Sequence, residues 1–195
     1  MHDKRLEALN LPPAAVPAVQ KWLDLLAEWN ARMDLTAART EDERIDLMLA
    51  DALALAPRIA EGARVVDVGT GAGAPGLALA LLRPDLKTTL VEPLTKRVSF
   101  LRTVLGTLGR TDVTLVREKG DATAARAAGA FDVAVSRATL APEIWIPLGL
   151  RLAPVAWALL AKEEPPVIAG AKHDMDFSYS WALTGATRRA VRYVR

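Results

Sequence analysis

The chain has 195 residues, of which 51% are hydrophobic and 25% charged, and its formal net charge is +2. These values predict a globular fold and a global field too weak to attract a polyanion without local basic patches. The sequence contains no cysteine, which excludes disulfides, Cys-ligated zinc, iron–sulfur clusters and a cysteine nucleophile. Only His2 and His173 offer imidazole, so we expect neither a His-based triad nor a metal site.

Two uncharged and largely apolar runs cover residues 68–82, where glycine and proline interrupt the run, and 152–161. Neither reaches the roughly 20 continuous apolar residues of a membrane span. The charged amino terminus is not followed by the apolar stretch of a signal peptide. We therefore expect a cytoplasmic protein without membrane contact, and a monomer.

Two amphipathic helices are predicted near the amino terminus. Apolar residues recur with a 3.6-residue period between 12 and 33, with Trp22 and Trp29 on the stripe. Thr40 and Glu43 have the spacing of a capping box, so a second helix is predicted from Thr40 until Gly62 ends it. Residues 1–61 are accordingly predicted to be a helical extension of the part that follows, 62–195, with the two forming one structural unit.

Strand and helix patterns alternate after residue 62. Strands are predicted at 64–68, 87–92, 112–116, 131–136 and 155–161, and helices at 75–82, 95–108, 122–129 and 142–152. Residues 177–183 and 188–194 are predicted to pair as a closing antiparallel hairpin. This alternation favours right-handed βαβ units, and hence an α/β fold with an open, mostly parallel sheet.

A glycine-rich loop lies between the first of these strands and its helix. Gly71, Gly73 and Gly76 satisfy the pattern G-x-G-x-x-G, after Gly69 and Thr70. Glycines let a ligand approach the backbone closely, and the helix start offers unpaired N–H groups. The pattern alone suits a dinucleotide and S-adenosylmethionine equally.

Two carboxylates flank this loop. Asp67 ends the first strand, where its charge could meet the ammonium group of a methionine moiety but would repel a pyrophosphate. Glu92 ends the second strand, where a carboxylate accepts the ribose hydroxyls of either cofactor class. The closing hairpin also suits a methyltransferase sheet better than a dinucleotide-binding one. We therefore favour S-adenosylmethionine over NAD, the alternative being that both carboxylates merely cap neighbouring helices.

Five segments of the chain are similar to the GidB/RsmG family: residues 30–37, 67–76, 83–85, 96–101 and 131–138. The resemblance implies a class I, Rossmann-like methyltransferase that transfers a methyl group from S-adenosylmethionine to guanine N7 of 16S ribosomal RNA, free or in the small-subunit particle. It also implies that Asp121 and Ala122 lie near the adenine ring and that Arg137 faces the active site. The candidate cofactor-binding residues are Asp67, Gly69, Thr70, Gly71, Gly73, Gly76, Glu92, Asp121 and Ala122.

The chain departs from the family pattern on the side expected to face RNA. Where the family usually carries Arg-His in the pattern R-H-x-x-D-S, this chain has Leu47 and Met48, and only Asp51 is kept. After the fifth strand the family tends to have Leu-Lys-Gly, whereas this chain has Ala161, Lys162, Glu163 and Glu164. Three alternatives therefore stay open: methylation of another RNA, methylation of a small molecule, and RNA binding without catalysis.

The residues present agree with methylation of a ring nitrogen. Guanine N7 already carries a lone pair, so the reaction chiefly needs proximity and orientation and no general base. Cytosine C5 methylation normally needs a cysteine nucleophile, which is missing. Arg137 is the predicted catalytic residue, because its forked donors could grip a phosphate or guanine O6. The alternative is an ion pair with Asp132 or Glu143.

The carboxyl-terminal hairpin is the predicted RNA-binding surface. Residues 177–195 contain no acid. They carry four arginines, at Arg188, Arg189, Arg192 and Arg195. The alternative is an edge strand protected from aggregation by its charge. The tryptophans are expected in the core, and Asp51, in an apolar helix, must find a partner or line the cofactor cleft. The tryptophans are Trp22, Trp29, Trp145, Trp157 and Trp181.

Overall fold

The computed structural model describes residues 3–161 and 163–195, so the predictions that concern His2 and Lys162 lie outside the described residues. The helices are α1 (Asp3–Glu7), α2 (Val16–Met33), α3 (Glu41–Leu55), α4 (Gly76–Leu82), α5 (Thr95–Leu108), α6 (Gly120–Arg126) and α7 (Pro142–Leu152). The strands are β1 (Arg64–Val68), β2 (Lys87–Val91), β3 (Thr114–Val116), β4 (Val133–Arg137), β5 (Val155–Leu160), β6 (Lys172–Ser180) and β7 (Thr187–Val194).

The seven strands form one sheet in the order β3-β2-β1-β4-β5-β7-β6. The first five are parallel, and β7 runs antiparallel between β5 and β6. The predicted fold class is therefore confirmed, including the closing hairpin. The strand order reverses between β1 and β4, and open α/β sheets bind ligands at the carboxyl ends of the strands beside such a switch point.

The start of α3 is confirmed in detail, but its predicted end is wrong. Thr40 Oγ1 accepts a hydrogen bond from the Glu43 N–H at 3.1 Å, and the Glu43 carboxylate accepts one from the Thr40 N–H at 3.2 Å. The helix ends at Leu55 and continues as a 3₁₀ turn, Ala56–Arg58, that contains Pro57. Proline cannot donate the next helical hydrogen bond, and its ring clashes with the preceding turn, so the α-helix stops there rather than at Gly62.

One hydrophobic cluster joins the amino-terminal helices to the sheet. It includes Trp22 and Leu26 of α2 and Leu49 of α3 together with residues of β1, β2, α4 and α5. The expected burial of tryptophan is confirmed for Trp22, Trp145 and Trp157, which are at most 2% exposed. The predicted division of the chain into a helical extension, 1–61, and the part that follows, 62–195, stays a prediction. None of the described helices combines the length and apolar character needed to cross a membrane.

The turn between β6 and β7 is fastened to α3 by a buried carboxylate that the sequence analysis missed. Asp46 is fully buried and accepts hydrogen bonds from the N–H of Leu183, and from the N–H and hydroxyl of Thr184 at 2.8 Å each. Strand β6 begins at Lys172 and ends at Ser180, so Trp181 and Leu183 lie in the turn rather than in the strand as predicted. The turn is thereby held beside the helix that borders the site.

Candidate active site

The glycine loop passes close to the segment that follows β4. Gly69 has a φ of 73°, a conformation that L side chains rarely adopt. A Cβ placed on Gly69 would lie 2.2 Å from Oγ1 of Thr139, whose hydroxyl donates to the Gly69 carbonyl at 3.2 Å. The loop can therefore approach the end of β4 only with glycine at this position.

Trp22 supports the same loop from the helical side. Its ring is fully buried, and its Nε1–H donates to the carbonyl of Ala72 at 3.1 Å. The apolar stripe of α2 was expected only to fill the core. Through Trp22 it also holds the glycine loop in position. This contact, between residues 50 positions apart, has no signature in the sequence.

Asp67 lies beneath the loop and holds the start of α4. It is fully buried, and its Oδ2 accepts the Gly76 N–H at 2.7 Å. Burial raises the pKa of its carboxyl group to about 6, against the opposing effects of the neighbouring Thr70 hydroxyl, of the Gly76 N–H and of the positive charge of Arg137. Asp67 Oδ1 and Thr70 Oγ1 are both buried without a hydrogen-bond partner among the described residues. Thr70 lines the open cleft, whereas Asp67 does not.

Glu92 joins the end of β2 to the loop. It is 1% exposed, and its two oxygens accept the N–H groups of Gly71 and Leu94, each at 2.9 Å. Arg97 lies 3.8 Å from one of these oxygens. An ionised carboxylate has about four acceptor positions, so Glu92 can hold the loop and still accept hydroxyl groups from a ribose.

These elements enclose a cleft of about 490 Å³ at the carboxyl ends of β1, β2 and β4. That volume lies within the range of ligand pockets. Of the predicted site residues, five line the cleft: Gly69, Thr70, Gly71, Glu92 and Arg137. Asp67, Gly73 and Gly76 are not among the lining residues.

Asp121 and Ala122, expected beside the adenine ring, are exposed in the first turn of α6. A Cβ on the neighbouring Gly120 would lie 2.6 Å from Cγ1 of Val68. Helix α6 therefore begins beside the end of β1, but neither Asp121 nor Ala122 lines the cleft. Their contact with the cofactor stays a prediction.

Arg137 is held by α3. Its Nη1 donates to the carbonyl of Leu47 and, at 2.9 Å, to the carboxylate of Asp51. The other Asp51 oxygen accepts the hydroxyl of Tyr179 at 2.6 Å. Burial and the Asp51 charge raise the pKa of Tyr179 well above its ordinary value, so Tyr179 is a neutral donor.

The alternative partners considered for Arg137 are wrong, since Asp132 is 2.7 Å from Arg64 and Glu143 is exposed in the first turn of α7. The expectation for Asp51 is confirmed, because this carboxylate has partners for both oxygens and lines a cavity.

A second cavity, of about 660 Å³, lies beyond Arg137. It shares four lining residues with the cofactor cleft: Leu47, Arg137, Ala138 and Thr139. Its far wall comes from the hairpin, through Tyr179, Trp181 and Arg188. Leu47, one of the two residues that depart from the family pattern, therefore lies at the junction of the two cavities.

Two arginines of the predicted basic hairpin are paired with carboxylates, and RNA binding by the hairpin stays a prediction. Arg189 forms a two-pronged pair with Asp176, and Arg192 forms one with Asp174. Strand β6 begins five residues earlier than predicted, which brings these acids opposite β7. The edge-strand alternative is also wrong, since β6 and not β7 forms the edge of the sheet.

No group of three or more His, Cys, Asp or Glu side chains that could hold a metal ion occurs within residues 3–161 and 163–195. His173 lies on β6, 3.6 Å from Asp176, and lines neither the cleft nor the second cavity.

Comparison with known proteins gives the family. Residues 15–152 match the family described as GidB, rRNA small subunit methyltransferase G. The chain is 38% identical over 167 residues to the ribosomal RNA small subunit methyltransferase G of Anaeromyxobacter sp. (strain Fw109-5), covering 83% of this chain and 77% of that protein. It is 40% identical over 115 residues to the protein of that name from Chromobacterium violaceum, covering 59% of this chain and only 55% of the relative.

The solved structure of TrmN from Thermus thermophilus is similar in fold, with a TM-score of 0.63 at 17% identity, covering 85% of this chain and 53% of that one. The sequence match extends over α2 to α7 and includes the glycine loop, Glu92 and Arg137. The chain therefore belongs to the rRNA small subunit methyltransferase G family.

Proposed function

We propose that this chain transfers the methyl group of S-adenosylmethionine to guanine N7 in 16S ribosomal RNA. One observation carries the proposal: the cleft at the glycine loop adjoins a second cavity, and Arg137 is among the residues that line both. Methyl transfer needs two reactants held in line, and two adjoining cavities offer that arrangement.

The cofactor side is formed by the loop and the strand ends. The backbone of Gly69 and Gly71 borders the cleft, and Glu92 accepts the ribose hydroxyls while it holds the loop. Asp67 supports the loop from beneath by accepting the Gly76 N–H at the start of α4. When bound, S-adenosylmethionine supplies a methyl group on a positively charged sulfur.

The acceptor side is formed by α3, the end of β4 and the hairpin. Arg137 uses Nη1 for Asp51 and Leu47, while its Nε and Nη2 make no hydrogen bond to the described residues. Those donors match guanine O6, the atom next to N7 on the major-groove edge. Asp51 fixes the direction of the guanidinium, and Tyr179 satisfies the second Asp51 oxygen. No side chain has to remove a proton, because N7 reacts through its lone pair.

We also propose that residues 1–61 and 62–195 act as one structural unit, as a monomer, in the cytoplasm where ribosomal subunits are assembled. The hydrophobic cluster that joins α2 and α3 to the sheet supports the single unit. The ribosomal acceptor supports the location.

The test is the N7-methylguanosine content of ribosomal RNA from a strain that lacks the gene, mapped by reduction and strand cleavage. We expect one cleavage site to disappear from 16S RNA and to return when purified protein and S-adenosylmethionine are added to the isolated small subunits. An unchanged cleavage pattern in the deletion strain would refute the ribosomal assignment.

A different RNA acceptor is the second candidate, favoured by one observation. Leu47 presents an apolar side chain to both cavities where the family pattern has arginine. To distinguish the two acceptors, separated RNA fractions of the deletion strain are incubated with the protein and radiolabelled S-adenosylmethionine. If the acceptor is a different RNA, the label enters a fraction other than 16S RNA.

A further inference from the structure

Trp181 and Arg188 lie where the acceptor cavity meets a third cavity. The third cavity, of about 390 Å³, shares Leu47, Trp181 and Arg188 with the acceptor cavity and extends to Arg39, before α3. In the sheet register Arg188 lies opposite Tyr179, the residue that donates to Asp51. The pair therefore lies along a path that leads away from the proposed methylation site.

Arg188 differs from the neighbouring arginines of β7. Arg189 and Arg192 form pairs with carboxylates, whereas no carboxylate of the described residues lies within ion-pair distance of Arg188. Its guanidinium carbon lies 4.2 Å from the centre of the Trp181 ring. A guanidinium stacked on a ring keeps its N–H groups, which lie in its own plane, available to an oxyanion.

Trp181 has an unsatisfied donor at the same place. The residue is 6% exposed and belongs to neither hydrophobic cluster, and its buried Nε1–H has no acceptor among the described residues. The buried Trp22 and Trp145 instead donate to backbone carbonyls at 3.1 and 2.8 Å. A buried unsatisfied N–H at a cavity wall is explained by an acceptor that the ligand brings.

We propose that Trp181 and Arg188 form a phosphate-binding subsite for the RNA strand that carries the target base. The guanidinium and the indole N–H both donate to one phosphate, next to the cavity that receives the base. Arg188 donates from Nη1 to the Thr187 carbonyl at 2.9 Å and has no carboxylate partner, and the Trp181 N–H has no acceptor among the described residues. A cationic donor beside an unsatisfied neutral one matches a phosphate rather than a base edge. This inference rests on the proposed function and deepens it, since phosphate contacts set the register of a nucleic acid on a protein.

The first test compares Arg188→Gln with Arg189→Gln, neighbours on one strand whose side chains alternate between the two faces of the sheet. Binding to small subunits from the deletion strain is measured by filter retention over a series of salt concentrations. We expect Arg188→Gln to weaken binding about tenfold and to reduce the salt slope by about one, as loss of a phosphate contact does. Arg189→Gln makes the same charge change away from the subsite, and its affinity is expected to stay within about twofold of wild type.

The second test compares two Trp→Phe variants, each of which removes an indole N–H together with part of a buried ring. Trp181→Phe is expected to weaken binding at least about threefold and to lower the melting temperature less than Trp145→Phe does, because both lose ring volume but the Trp181 donor had no partner in the protein. Trp145→Phe leaves the Trp157 carbonyl unpaired, so it lowers the melting temperature and leaves RNA affinity unchanged.

Equal losses of affinity in Arg188→Gln and Arg189→Gln would overturn the subsite, and so would wild-type affinity in Trp181→Phe. Methyl transfer to N7 is measured in the same mixtures. A wild-type protein that binds the particles but leaves guanine unmodified contradicts the proposed function, while the binding comparison still decides the subsite. A wild-type protein that does not bind the particles contradicts both.

Discussion

Asp51 accepts a hydrogen bond from Arg137 at 2.9 Å although 86 positions separate them in the sequence. The carboxylate is almost fully buried, and the guanidinium is partly open to both cavities. Helix α3, far from β4 in sequence, therefore directs the arginine that faces the acceptor.

The first prediction concerns this positioning. Asp51→Asn removes the charge that orients Arg137, and we expect kcat to fall about tenfold or more with little change in the dissociation constant of S-adenosylmethionine. Asp132→Asn breaks the exposed pair with Arg64 and provides the control. Steady-state kinetics and calorimetry check both; a wild-type kcat for Asp51→Asn would contradict the positioning role.

Arg137 itself is tested by Arg137→Lys. The lysine keeps a positive charge beside Asp51, so the buried carboxylate stays paired, but it lacks the planar fork. We expect kcat to fall about 100-fold, the effect of losing a donor aimed at the reacting group. Cofactor affinity, measured by calorimetry, should be largely kept. A wild-type kcat in Arg137→Lys would contradict the role of the planar guanidinium, because a positive charge alone would then be sufficient for turnover.

The third prediction concerns pH and Asp67. Its pKa rises from 3.8 to about 6 on folding, so between these values the native state binds more protons than the unfolded state. The free energy of unfolding therefore falls as pH rises from 4 to 6, by about 3 kcal/mol for a shift of about two pKa units.

Asp67→Asn is neutral at every pH and keeps an oxygen for the Gly76 N–H, so it should remove this pH dependence. Urea unfolding at pH 5 and pH 8 checks it: the variant should be more stable than wild type at pH 8. Identical pH dependence in the two proteins would contradict the assignment to Asp67.

The fourth prediction tests the close approach at Gly69. In Gly69→Ala the new Cβ meets the Thr139 side chain, so the loop must move and cofactor affinity should fall more than about tenfold. Gly109→Ala is matched, because Gly109 has a φ of 64° and no atom within 4 Å of its Cβ position. It should lose about 1–2 kcal/mol of stability from strain and no affinity. Equal affinities of the two variants would show that the approach of Thr139 is unimportant.

Patterns within single segments predicted most of the fold. The capping box of Thr40 and Glu43, the strand before the glycine loop and the alternation from residue 62 onward all depend on neighbouring residues. The errors lie where distant segments interact. Nothing near Asp174 and Asp176 indicates that they face Arg192 and Arg189, because that pairing depends on where β6 begins.

The site divides in the same way. The cofactor loop could be predicted from the sequence because its glycines, the helix start and a carboxylate at each strand end lie within one βαβ unit. By itself, the sequence determined this loop, the family and the preference for S-adenosylmethionine. Only the tertiary structure decided the partner of Arg137, the role of Trp22 beneath the loop and the exposure of Trp181 to two cavities. The Trp22 contact depends on the packing of α2, and the other two depend on α3 and the hairpin, which Asp46 brings together through hydrogen bonds to a turn 137 residues away. Contacts of that range leave no periodicity in the chain, because packing in three dimensions and not local propensity selects them.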